Sequence, residues 1–333
     1  MKRFPKILGR IIAALKEARS VAIVGHVRPD GDCVGSQLAL AEALAAQGKE
    51  IVCWNEDAIP QKLAFLDPGK RLQPPAPGRS FDVVVALDAA SLERLGSVAP
   101  FILERQILAN IDHHASNTRF GDLNWINPRS PSTGELVFQL LKAAGWPITP
   151  PIADCLFAAI STDTGSFQYD TTRPTTLYCA GELVHRGANL ARISDEIYQS
   201  YPLSRVRLLQ HVFNHFRLTH HNQIGYFWLK PADFTRTGTA SSDSEGLIDH
   251  IRAIEPVVVA CMFEQVEPEI VRISLRSKSP RLDVNAIARQ FGGGGHHAAA
   301  GARIAGRPLS VQRRVVNAIR KALDQAGQSH AHV

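Results

Sequence analysis

Val21-Ala22-Ile23-Val24-Gly25-His26-Val27-Arg28-Pro29-Asp30-Gly31-Asp32-Cys33-Val34-Gly35-Ser36 is the stretch that decides the fold. Its first five residues form an apolar run ending in glycine, the pattern of a strand buried on both faces. A helical pattern covers about 35–47 and stops at Gly48. Between them lies a loop carrying one imidazole and two carboxylates, held in a tight turn by Pro29 and the flanking glycines. The alternation continues outward. Residues 51–54, 81–87 and 106–111 are apolar almost throughout, and helical patterns cover 133–144, 151–161, 174–186 and 192–198. Buried strands alternating with helices predict an α/β domain built on a parallel sheet.

From about residue 203 the pattern changes. A helix is expected at 204–216. Alternating strands follow at 224–229, 257–263 and 270–275, with helices near 246–253, 284–290 and 310–324. This is the signature of a smaller α+β domain. The expected organisation is a first domain at 1–195, a helical linker at 196–215, a second domain at 216–326 and a frayed tail at 327–333. No internal repeat is visible.

The chain has 333 residues, 45% hydrophobic and 20% charged, which excludes a disordered or low-complexity scaffold. No apolar run approaches the roughly 20 residues that span a bilayer. The basic start Met1-Lys2-Arg3-Phe4-Pro5 leads into a segment interrupted by Arg10 and Lys16, an amphipathic helix and not a signal peptide. Five scattered cysteines form no C-x-x-C pair, which argues against a disulfide framework and suits a reducing cytoplasm. The charge is uneven. Residues 1–199 hold 20 Lys and Arg against 21 Asp and Glu, whereas residues 200–333 hold 17 against 10. A basic second half fits an anionic partner such as nucleotide, phosphate or nucleic acid, although solubilising surface would look the same.

Four clusters carry the chemistry: the loop with His26, Asp30 and Asp32; Asp88 at the end of a strand; Asp112-His113-His114 at the end of the next; and Ser161-Thr162-Asp163-Thr164-Gly165 at the end of an apolar helix. Ligands of an open parallel sheet sit at the carboxyl ends of its strands, so these clusters should converge. Taken singly each has a plainer reading: Asp30 and Asp32 as turn and N-cap residues, Asp88 as an edge charge, His113 as a core histidine. Ser132-Thr133-Gly134-Glu135 reads as a capping box. Together, two imidazoles and four carboxylates in one place would repel unless cations held them. Oxygen-rich ligation with some imidazole suits Mn²⁺ or Mg²⁺, and six ligands suit two ions.

These motifs, in order, resemble those of the DHH phosphoesterases. Ser274-Leu275-Arg276-Ser277-Lys278 and Gly292-Gly293-Gly294-Gly295-His296, leading into Ala298-Ala299-Ala300-Gly301, resemble the family's associated domain. The likeness is greatest to the short, stand-alone members that act as oligoribonuclease and as 3′-phosphoadenosine 5′-phosphate (pAp) phosphatase. The resemblance implies a parallel-sheet catalytic domain holding two Mn²⁺, with Mg²⁺ a substitute, joined by a helical linker to a substrate-binding domain across a cleft. It implies that His26 and Asp30 hold one metal and Asp32 and His113 the other, with Asp88 and Asp163 bridging. Water activated between the metals would attack phosphorus. His114 would stabilise the phosphate or protonate the leaving oxygen, and Asp112 would orient a histidine from behind. Arg276, Lys278, Gly293, Gly294, Gly295 and His296 would bind substrate.

The glycine run has a physical reading of its own, since glycines expose backbone N–H groups and admit a phosphate closely. Expected substrates are short single-stranded RNA, pAp or dinucleotides. No membrane partner is expected, and a homodimer is left open. A linear or cyclic dinucleotide phosphodiesterase, such as one for cyclic di-AMP, would carry the same motifs. A nucleic-acid-binding module with a structural metal is the non-enzymatic alternative, and the intact ligand set argues against it. With 7% aromatic residues and no length left for a strand-binding domain, very short strands are expected to be preferred. Cys33 reads as a small buried hydrophobe, and His297 has no assigned role.

Overall fold

The computed structural model describes residues 5–328 of the chain. These residues form two compact units, with the boundary between Ser200 and Tyr201. The first is built from α1 (Lys6–Glu17), β1 (Ser20–Val24), α2 (Gly31–Ala45), β2 (Glu50–Trp54), β3 (Leu72–Gln73), β4 (Phe81–Leu87), β5 (Arg105–Asp112), β6 (Leu123–Ile126), α3 (Thr133–Ala144), α4 (Pro150–Asp163), α5 (Pro174–His185) and α6 (Leu190–Ser194). Its six strands form one parallel sheet in the order β3-β2-β1-β4-β5-β6. The order reverses between β1 and β4, and that switch point opens a crevice at the carboxyl ends of the strands. The near-continuous apolar runs of β1 and β4 follow from burial on both faces. Val21, Ile23, Val83 and Val85 pack with α2, α3 and α4 on one side. Ala22, Val24, Val84 and Ala86 pack with Leu95, Val98 and Ile102 on the other.

The helix expected from residue 35 begins at Gly31, four residues earlier. Asp30 caps it, its Oδ1 accepting the N–H groups of Asp32 and Cys33 at 3.1 Å each. Asp32 therefore lies in the first helical turn and not in a loop. Gly35 is needed for the close crossing of α2 and α4, because a Cβ there would lie 2.3 Å from the Cys155 carbonyl oxygen.

The second unit comprises α7 (Leu203–His215), β7 (Arg217–Thr219), β8 (Ile224–Leu229), α8 (Pro231–Thr237), α9 (Leu247–Arg252), β9 (Val259–Glu267), β10 (Ile270–Ser277), α10 (Val284–Arg289), β11 (Gly294–Gly295), β12 (Ala299–Ala305) and α11 (Pro308–Gln328). Its six-stranded sheet runs β11-β12-β10-β9-β8-β7, with the β8–β9 pair parallel and the others antiparallel. Alternation along β9 sends Val259, Cys261 and Phe263 to a core with α10 and α11. Ala260 and Met262 go to a second core with α7 and α9. His220 and His221 sit in the β7–β8 turn. Of the frayed tail expected at 327–333, residues 329–333 lie outside the described residues.

Candidate metal centre

The carboxyl ends of β1, β4 and β5 deliver His26, Asp88 and Asp112-His113-His114 to the switch-point crevice, and the end of α4 delivers Asp163. The His26 imidazole places Nε2 3.7 Å from Asp30 Oδ1 and 3.3 Å from Asp88 Oδ2. The His113 Nε2 lies 3.2 Å from Asp163 Oδ2, 3.4 Å from Asp88 Oδ1 and 3.7 Å from Asp32 Oδ2. Asp88 thus stands between two imidazoles, one oxygen toward each. Its backbone holds φ at 58°, a left-handed conformation uncommon outside glycine that aspartate tolerates better than most. His26, Asp32, Asp88 and His113 are each at most 5% exposed. The Asp30 and Asp163 side chains are 45% and 27% exposed and mark the open side of the crevice.

Both inner histidines are oriented from behind. His26 Nδ1 donates to the Val27 carbonyl at 2.9 Å and His113 Nδ1 to the Ser130 carbonyl at 3.3 Å. Nδ1 is thus engaged in each ring, and Nε2 is the nitrogen turned to the carboxylates, the one a metal would take once its proton leaves. Asp112 is used differently. It accepts from His114 Nδ1 at 2.7 Å, from the His113 N–H at 2.8 Å and from Asn117 Nδ2 at 2.6 Å. With three donors on a fully buried carboxylate, it positions the His114 ring instead of facing the crevice.

The sequence reading missed the part played by α3. Ser132 caps this helix, its Oγ accepting the Glu135 N–H at 3.1 Å. The Glu135 carboxylate, however, accepts from Thr176 and Gln139, so only half of the expected capping box forms. The helix N-terminus is aimed at the site. Thr133 N–H donates to Asp32 Oδ2 at 2.6 Å and Gly134 N–H to Asp32 Oδ1 at 2.8 Å, while Thr133 Oγ1 donates to Asp88 Oδ1 at 2.9 Å. A Cβ on Gly134 would lie 2.6 Å from that of Ala159, so glycine lets the helix come this close. The signal was present in Thr133-Gly134, a hydroxyl and a bare backbone at the first two helical positions.

Electrostatics identify what the site is built to hold. Burial, with Asp88 and Asp163 behind it, raises the Asp32 pKa well above the usual carboxylate range. Burial, with Asp30 and Asp88, lifts that of Asp163 to about 7. For His26, burial opposes the charge, but Asp30 and Asp88 outweigh it and push the pKa up to about 10. His113 is raised in the same way by Asp163, Asp88 and Asp32. The imidazoles in turn hold Asp30 and Asp88 below the usual carboxylate range, so the site has more carboxylates than its two imidazoles can balance. Two imidazole nitrogens and four carboxylates suit hard divalent cations. Ligand atoms of Asp32, His113 and Asp163 lie close enough together to share one ion. Cys33 reaches the edge of the same cluster, and burial among carboxylates drives its thiol pKa well up, away from the thiolate.

The residues expected to bind substrate lie in the second unit. Arg276 is on β10, its Nη1 donating to the Leu275 carbonyl at 3.1 Å. The Lys278 ammonium is engaged elsewhere, donating to the Ile254 and Glu255 carbonyls past the end of α9 at 2.7 and 3.1 Å. In the glycine run, a Cβ on Gly293 would lie 2.1 Å from the Gly301 carbonyl oxygen, and one on Gly295 2.5 Å from that of Ala299. Close pairing with β12 therefore accounts for two of the four glycines. A Cβ on Gly294 would meet only Asn285 Oδ1, at 3.7 Å. His296 closes the turn, its N–H donating to the Ala299 carbonyl at 2.7 Å.

A doubly wound sheet with imidazoles and carboxylates crowded at its switch point defines a class, the metal-dependent hydrolases of phosphate esters. The chain belongs to the DHH family: residues 20–160 match the DHH family N-terminal domain and residues 226–328 the DHHA1 domain. It is 34% identical over 327 residues to the bifunctional oligoribonuclease and PAP phosphatase NrnA of Thermus thermophilus, covering 96% of this chain and 95% of that one. It is 28% identical over 296 residues to the Bacillus subtilis protein of the same name, covering 84% and 87%. An exopolyphosphatase-related protein from Bacteroides fragilis superposes with a TM-score of 0.88 at 25% identity, covering 98% and 99%. The chain is accordingly a phosphoesterase of a metal-dependent family. No helix among the described residues is long and apolar enough to cross a membrane.

Proposed function

We propose that this chain hydrolyses very short oligoribonucleotides to mononucleotides and converts pAp to AMP, using two Mn²⁺ ions for which Mg²⁺ can substitute. The observation that carries the reading is Asp88, buried with one oxygen toward each of two imidazoles, inside a ring of carboxylates. Relatives named for both activities, aligned over nearly the whole chain, support it.

His26 and Asp30 would hold one ion and Asp32 and His113 the other, with Asp88 and Asp163 available to both. Bound there, divalent ions supply Lewis acidity and lower the pKa of water. The protein does the rest. Asp88 keeps its position because Thr133 Oγ1 holds one oxygen. The helix α3 N–H groups hold both oxygens of Asp32. His114, fixed by Asp112 through Nδ1, turns Nε2 outward to donate a proton to the leaving oxygen or bind the phosphate. Arg276, with His296 and the glycine segment 293–295, binds a terminal phosphate of the substrate. Lys278 shapes the end of α9 and contributes little binding.

The test is product analysis with Mn²⁺ on pAp, a diribonucleotide, a pentamer, a long unstructured RNA and cyclic di-AMP. Expected are AMP from pAp and mononucleotides from the dimer, with kcat/KM falling steeply as the strand lengthens. Preference for cyclic di-AMP would replace this reading with the dinucleotide phosphodiesterase. Equal efficiency on long RNA would mean a processive nuclease.

A further inference from the structure

A second cluster of cationic and imidazole side chains lies outside the residues used so far. On α7, Arg207, His211 and His215 follow at intervals of four and share one helical stripe, with Gln210 and Asn214 beside it. Arg236 and Thr237 of α8 complete a hollow of about 370 Å³, at the small end of the roughly 300–1,000 Å³ typical of small-molecule sites. None of its lining residues is acidic.

Asp233, which contacts two of the lining residues, is buried and already paired. One oxygen accepts from Arg236 at 2.8 Å and lies 3.3 Å from His211 Nε2, and the other accepts the Lys230 N–H at 2.9 Å. Arg236 also donates to His211 Nδ1 at 2.7 Å. Asp233 therefore works as a brace that orients an imidazole and a guanidinium. Burial, opposed by Asp233 and helped by His215 and Arg236, lowers the His211 pKa. His215 Nδ1 donates to the His211 carbonyl at 2.8 Å, and the two rings lie 4.2 Å apart. Arg207 has no ion-pair partner among the described residues, and the Arg236 side chain is 60% exposed.

Two guanidinium groups and two amide side chains around a hollow, with Asp233 already paired behind them, make a site for an anion that takes several hydrogen bonds. We propose that it binds a phosphate group, as a phosphate monoester or the phosphodiester of a strand. It is separate from the glycine segment. Helices α7 and α8 pack near β8, toward one edge of the sheet, whereas Gly294 and Gly295 form the strand at the opposite edge. Free phosphate and a strand backbone offer the same oxygens, and Arg recognises both through paired N–H groups.

The experiment is histidine-ring NMR on the full chain loaded with diamagnetic Mg²⁺, titrated with inorganic phosphate and separately with a 2′-O-methyl RNA pentamer. Expected is a saturable shift of the His211 and His215 resonances together. Arg207→Ala, a change at an exposed residue, should weaken binding at least about tenfold through loss of a charge-assisted hydrogen bond. Arg276→Ala should leave the shifts intact, which keeps this site distinguishable from substrate binding at β10. Saturation at lower concentration by the pentamer identifies a strand backbone as the occupant, and equal or tighter binding of inorganic phosphate identifies the free anion. No saturable shift with either probe, or identical titrations for Arg207→Ala and the parent chain, overturns the proposal.

Discussion

The crevice residues of the first unit and the 276–296 segment of the second were singled out by the same reasoning, yet the fold uses them differently. At the crevice, sheet polarity does the positioning. Strands β1, β4 and β5 all end on the same side, so His26, Asp88 and His113 must meet, and the protein adds only orienting hydrogen bonds. In the second unit the marked residues are partly absorbed by the fold itself. Lys278 satisfies carbonyls, and Gly293 and Gly295 permit two strands to touch. A motif whose residues converge on one point and crowd more carboxylates there than its imidazoles can balance points to a ligand. A motif whose residues already have structural duties has to be divided residue by residue.

That contrast is broken most directly at Asp88. Asp88→Asn keeps the shape but removes the charge between the two imidazoles. Turnover should fall below detection and bound metal should drop, measured by Mn²⁺-dependent pAp hydrolysis and metal analysis of the purified protein. Activity near that of the parent would show that Asp88 is a buried structural acid and that the crevice holds no ion there.

A smaller effect is expected behind the site. Thr133→Val deletes the hydroxyl that holds Asp88 Oδ1 but spares the backbone donors to Asp32. Loss of such an outer partner typically costs about 10–100-fold in metal affinity or activity. Added Mn²⁺ should recover part of it. A variant needing no more Mn²⁺ than the parent would confine α3 to a packing role.

Much of this geometry was legible beforehand. The central strands are apolar throughout because both faces are covered, and their polar ends stand out by contrast. The failures have particular causes. β6 has four residues with alternating burial, and β3 has two, too short for a pattern at a sheet edge. β12 reads Ala-Ala-Gly-Ala-Arg-Ile-Ala, poor in β-branched residues, and is a strand because β10 pairs with it along its length. α8 was overlooked although Pro231 opens it and Gly238 closes it in the left-handed conformation. The role of Thr133 was hidden because a helix N-cap and a site-facing helix end look alike in sequence.

Proton linkage gives a third and gentler test. Ligation needs bare carboxylates and imidazole nitrogens, but without cations Asp163 titrates near 7 and His26 near 10. Both pKa values are raised, so protons are held at neutral pH and must leave when metal binds. Affinity should therefore fall as pH drops through 7, by about tenfold per pH unit for each proton displaced. Calorimetry of Mn²⁺ binding at pH 7 in buffers of different ionisation enthalpy should report net proton release. A buffer-independent heat would mean that the crevice carboxylates and imidazoles are already deprotonated and that their crowding does not define the site.

The finest comparison lies within the second unit, between two cations two residues apart. Arg276→Ala should raise KM for pAp severalfold and leave bound metal unchanged, since Arg276 is assigned to a substrate phosphate and to no metal. Lys278→Met preserves the aliphatic stem and removes the ammonium from the Ile254 and Glu255 carbonyls. Each such hydrogen bond contributes about 0.5–1.5 kcal/mol, and exposure puts these at the low end. The expected result is a small fall in stability by urea unfolding and a KM within about twofold of the parent, since well under 1 kcal/mol of substrate binding is at stake. Should Lys278→Met raise KM as much as Arg276→Ala, the ammonium must leave the α9 carbonyls to reach substrate. The segment would then act as one phosphate clamp, with no division between structural and binding residues.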